Sequence, residues 1–135
     1  MVAATAFFGK TYGEAMGLLV EARNYVAYVE PCDRSRLEPA ERLLLSAETL
    51  RLTARLTRIM AWLMAQRAVQ AGEISRDEAL GGPDRLAQLH ICMHDAEGVG
   101  EKLSPRLYDL LDRSRRLYVR VARLDDLARR DPEPG

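Results

Sequence analysis

Residues 39–71, PAERLLLSAETLRLTARLTRIMAWLMAQRAVQA, decide the fold of this chain. Pro39 suits a first helical position, where its missing N–H costs nothing. Gly72, directly after Ala71, can adopt the left-handed conformation that closes a helix. At 1.5 Å per residue the rod between them is about 50 Å long. Two apolar seams run along it. One is Leu43, Ala47, Leu50, Ala54, Thr57, Ala61, Met64 and Ala68; the other is Leu45, Leu52, Leu56, Ile59 and Leu63. Successive residues turn by about 100°, which sets the seams roughly 150° apart. Ser46, Thr49, Thr53 and Met60 fill the arc between them, and only Glu48, Arg51, Arg55 and Arg58 make a charged stripe. A helix so apolar around its circumference has to be covered on most sides.

Two further helices supply cover. Thr11 and Glu14 form a capping-box pattern opening the first. Tyr12, Ala15, Leu19, Ala22, Val26 and Val29 then recur at spacings of three and four, and Pro31 is expected to end the helix. Gly13 and Gly17 each weaken it by up to about 1 kcal/mol relative to Ala. Ser104-Pro105 opens the last helix, with Leu103, Leu107, Leu110, Ser114, Leu117, Val121, Leu124 and Ala128 as its seam. The expected fold is therefore all-α: a mostly antiparallel three-helix bundle with a short helical or irregular connector between the second and third helices. Residues 1–130 make the single domain, and residues 131–135 a short flexible tail. Leu52, Leu56, Ile59 and Leu63, with exposed-looking Tyr25 and Tyr28, point to a homodimer in which a second subunit covers the rest of the middle helix.

Composition narrows function. The 135 residues, 47% hydrophobic, make one domain with a real core. Twenty basic and twenty acidic residues cancel, which argues against binding nucleic acid or membrane by bulk charge. The longest apolar run, Ile59 to Ala65, is far short of the about 20 residues that span a bilayer. Cys32 and Cys92 have no bridge or metal spacing, so they read as reduced thiols of a cytoplasmic protein.

Charge is nonetheless segregated. Residues 73–101 carry seven acidic against two basic residues, net −5, whereas residues 102–130 carry nine basic against four acidic, net +5. The third helix thus offers Arg113, Arg116, Arg120 and Arg123 as a surface for an acidic partner. Asp109, Asp112, Asp125 and Asp126 interrupt a phosphate-binding reading, and no glycine-aromatic RNA motif is present. There is no G-x-S-x-G turn and no Walker loop, so no catalytic residue is assigned. His90 and Cys92 with His94 could face one way, but the Glu of the H-E-x-x-H motif is missing, and a half-buried histidine pair is the plainer reading. No metal or cofactor is expected.

Several stretches resemble one family: LLVEAR (residues 18–23), PAERL (39–43), LRLTARL (50–56), AWLMAQRAV (61–69) and SRRLYVRVARLD (114–125). Together they are similar to the alphaproteobacterial family of RcdA, the regulator of CtrA degradation, and AWLMAQRAV is the most specific of them. The resemblance implies a dimerising three-helix bundle without catalytic activity. It also implies an adaptor that helps bring cell-cycle regulators to the ClpXP protease, with a response-regulator-like primer and, for some cargo, a cyclic-di-GMP-binding partner. The connector Leu80–Glu101 and the short tail after Leu127 depart from the family pattern. The residues alone also fit a helical protein-binding module with an unrelated partner.

Overall fold

The computed structural model describes residues 2–75, 78 and 104–130, with side chains described for 8–75, 78 and 104–127. Every element among them is helical. Helix α1 spans Val2–Asn24, a π-helical turn spans Tyr25–Val29, α2 spans Glu30–Ser35, α3 spans Pro39–Gln70 and α4 spans Pro105–Arg130.

The first helix starts earlier than its capping-box pattern suggests. It is already helical at Val2, so Thr11 lies buried in mid-helix and Glu14 is not a cap. Phe8 extends the packing surface, reaching Trp62 of α3 with ring centroids 5.8 Å apart. Nor does Pro31 end the helical path. Proline lacks an N–H and clashes with the carbonyl four residues back. The chain answers by widening one turn, and the Glu30 N–H donates to the Tyr25 carbonyl, the i→i+5 pattern of a π-helix. Pro31 then sits in the first turn of α2.

The seam of α1 also differs from the expected one. The buried line is Thr11, Ala15, Leu18, Ala22 and Tyr25, and Val26 is exposed. Tyr25, expected on the surface, is only 2% exposed, whereas Tyr28 is 77% exposed. The Tyr25 hydroxyl donates to Asp33 Oδ2 at 2.9 Å, and burial pushes its pKa up to about 12.

The limits of α3 follow the sequence closely. Glu38 and Glu41 form a reciprocal capping box around Pro39. At the far end Gly72 has φ of 76°, and the Glu73 N–H donates to the Ala68 carbonyl at 2.9 Å, closing a Schellman-type cap. The start of α4 is equally legible, since Ser104 Oγ accepts the Leu107 N–H at 3.2 Å. Ser75 Oγ likewise accepts the Glu78 N–H at 3.0 Å.

Pairs of side chains fix the directions. Phe8 with Trp62 and Arg34 with Ser46 set α1 and α2 antiparallel to α3. Glu14 with Arg120 and Glu21 with Arg113 set α1 antiparallel to α4. Arg55 with Ser114 and Trp62 with Asp125 set α3 parallel to α4. The bundle is mostly antiparallel, as expected, and the parallel pair is the second and third long helices.

The core lies between these rods, and it corrects the sequence reading of α3. Leu52, Leu56, Ile59 and Leu63, expected at a dimer interface, are 0–1% exposed inside the single chain, against the seam of α4 (Leu107, Leu110, Leu117, Val121) and that of α1. These four are therefore core residues, because α1 and α4 already cover their side of the rod. The charged stripe also turns inward. Glu48 and Arg55 are buried, and Arg55 donates to the Leu111 carbonyl at 2.8 Å and to Ser114 Oγ at 3.0 Å. The outward side is the first apolar seam, with Leu43 73%, Leu50 70% and Met64 61% exposed.

Candidate partner-docking cleft

Two exposed ion pairs link the basic helix α4 to α1. Arg113 grips Glu21 with both guanidinium ends, Nη1 to Oε2 at 2.9 Å and Nη2 to Oε1 at 2.6 Å. Its Nε also donates to Asp109 Oδ2 at 3.0 Å, within α4. One antiparallel step further along, Arg120 Nη2 pairs with Glu14 Oε1. Arg116 Nε donates to Asp112 Oδ2 at 3.0 Å on α4 itself. The pairing fits the sequence, because Glu14 and Glu21, like Arg113 and Arg120, stand seven residues, or two helical turns, apart.

These contacts fix charge states as well as geometry. The Arg113 hydrogen bond holds the Glu21 carboxyl below the ordinary carboxylate range, although its partial burial works the other way. The same bond raises the Arg113 pKa, and the Asp112 carboxylate raises that of Arg116. The Arg113 and Arg116 guanidiniums therefore stay charged near neutral pH.

Between α1 and α4 lies a solvent-open cleft of about 660 Å³. Arg113, Arg116, Arg120 and Arg123 all line it, so the structure brings together the four arginines singled out from sequence. Arg115, Val119 and Glu14 complete the lining. Sequence reasoning did not select Glu14 for this place, because its spacing from Thr11 suggested a cap. Only the seven-residue repeat of acid on α1 against base on α4 could have signalled it. Chemically the cleft is a cationic trough with one apolar contact and no nucleophile–base pair. It suits a negatively charged partner held by several charge-assisted hydrogen bonds.

The other sequence candidates fall elsewhere. Trp62 is core: its Nε1 donates to Asp125 Oδ1 at 3.0 Å. His90, Cys92 and His94 lie outside the described residues. Among the described residues no three metal-ligating side chains come together. No described helix is long and apolar enough to cross a membrane.

With fold and cleft in view, comparison with known proteins places the chain. Residues 1–134 match the family described as protein of unknown function, DUF1465. The chain belongs to the DUF1465 family. No curated protein matches this family member. Among solved structures it is similar to the crystal structure of RcdA from Caulobacter crescentus CB15, with a TM-score of 0.72 and 32% sequence identity. The likeness covers 90% of this chain and 89% of that one, so it embraces the bundle as a whole. The RcdA-like character of this DUF1465 chain, first suggested by its helix sequences, stands on both comparisons.

Proposed function

We propose that this protein is a non-enzymatic adaptor that helps recruit cell-cycle regulators to the ClpXP protease. The observation that carries the reading is its likeness to RcdA at 32% identity over nine-tenths of both chains. In this reading its partners are the protease, a response-regulator-like primer, cargo proteins and, for some cargo, a cyclic-di-GMP-binding protein.

The geometry supplies what such a role requires: a rigid scaffold with separable surfaces. Arg113, Arg116, Arg120 and Arg123 form the docking surface for an acidic partner. The outward seam of α3 serves self-association. Its large residues Leu43, Leu50, Thr57 and Met64 alternate with Ala47, Ala54, Ala61 and Ala68 at spacings of four and three, the repeat of a coiled-coil seam. Small residues at every second position let a second copy of the helix approach closely. The homodimer therefore forms on this seam, which takes the place of the four core residues first assigned to it.

A reconstituted ClpXP degradation assay, with and without this chain, tests the reading. Cargo with its primer is expected to be degraded faster when the chain is added. Arg116→Glu with Arg120→Glu is expected to remove the acceleration while leaving the melting temperature nearly unchanged. Equal degradation rates with and without the wild-type chain would reject the adaptor role.

A further inference from the structure

The cleft on α4 is already partly filled by the chain's own acids, and one of them is differently placed from the rest. Arg113 is clamped from outside the cleft by Glu21 and Asp109, and Arg116 by Asp112. None of these three carboxylates lines the cleft, whereas Glu14 does. Glu14 reaches across from α1 and touches Arg120 through one oxygen and one guanidinium nitrogen. Both side chains are 40–46% exposed, and an exposed single-point ion pair is easily displaced.

Arg120 is also the central member of a row. Arg116, Arg120 and Arg123 follow at spacings of four and three on one face of α4. The row is about 10 Å long, the reach of three or four extended residues. Arg123 has no ion-pair partner among the described residues. Glu14 thus neutralises the row at its middle.

We propose that Glu14 is a built-in competitor for an extended acidic peptide that docks in this cleft, so that the partner binds by displacing the Glu14 carboxylate from Arg120. This rests on the reading of the cleft as a docking surface. A peptide fits better than a nucleic acid: the lining offers Val119 for an aliphatic side chain and no aromatic ring on which bases could stack. The competitor keeps affinity low, as suits a surface that must release what it carries.

Fluorescence anisotropy with the full-length chain tests this. The probe is a labelled octapeptide alternating Glu and Leu, with a single-stranded oligonucleotide of equal charge in a parallel arm. Glu14→Gln is expected to bind the peptide about two- to five-fold more tightly than wild type, the range of one exposed ion pair. Glu14→Asp, which withdraws the carboxylate but keeps the charge, should fall between them. Glu73→Gln removes an exposed acid outside the cleft and should shift affinity less than two-fold. Arg123→Gln should weaken binding.

If wild type binds the peptide and Glu14→Gln binds no better, or no better than Glu73→Gln, the competitor role is wrong while the docking surface stands. If neither wild type nor Glu14→Gln binds the peptide, the docking surface itself fails. Tighter binding of the oligonucleotide than of the peptide would overturn the peptide assignment. Thermal melts by circular dichroism confirm that each variant is folded before its affinity is read.

Discussion

The two sides of α3 make opposite use of similar residues. On one side Leu45, Leu52, Leu56, Ile59 and Leu63 are sealed between α1 and α4, and the charged stripe beside them is drawn in with them. On the other, Leu43, Leu50 and Met64 stand largely in water. Hydrophobicity alone does not distinguish the sides. What does is polar satisfaction: the α4 backbone and Ser114 offer acceptors that suit the Arg55 guanidinium, and nothing on the outward side needs one. A seam with alternating alanines and no charge is free to face another helix, and the described residues leave it unpartnered.

The sharpest way to break this contrast is a matched truncation. Leu56→Ala should cost about 2–5 kcal/mol in denaturant unfolding, the range for a buried leucine that leaves a cavity. Leu50→Ala, measured where the chain is monomeric, should stay within about 0.5 kcal/mol. Comparable losses at both positions would erase the distinction between the sides.

The inward turn of the charged stripe gives the next effect. Arg55→Ala removes the donor to the Leu111 carbonyl and Ser114 Oγ and should cost about 2–3 kcal/mol. A loss below about 0.5 kcal/mol, the level of a surface arginine, would mean the stripe faces solvent. The smallest effect sharpens the contrast from α1. Gly17 lies on that helix's exposed side with open space where a Cβ would project. Gly17→Ala should therefore raise stability by about 0.5–1 kcal/mol, read as an upward shift in thermal midpoint.

Much of this architecture could be read directly from the chain. The limits of α3 and the start of α4 follow from Pro39, Gly72 and Ser104-Pro105, because caps and prolines act locally. The α4 seam was legible because charge crowds its other faces, leaving one choice of which side to bury. On α3 both sides looked apolar, so the pattern could not say which one the neighbouring helices take. Residues chosen for a dimer interface belong to the core for that reason. Pro31 misled differently: a π turn lets a helix pass a proline, and nothing in the local sequence distinguishes that outcome from termination. The four cleft arginines were visible as a charge cluster, but Glu14 was not, since its role depends on the antiparallel register of α1 and α4.

The outward seam of α3 is where the account is most exposed to refutation, and sedimentation equilibrium reads it directly. Wild-type protein should sediment as a dimer at micromolar concentration, and Leu50→Glu as a folded monomer with unchanged helicity. A wild-type chain that remains monomeric throughout that range, or a Leu50→Glu variant that dimerises equally well, would contradict the assignment of this seam to a second copy.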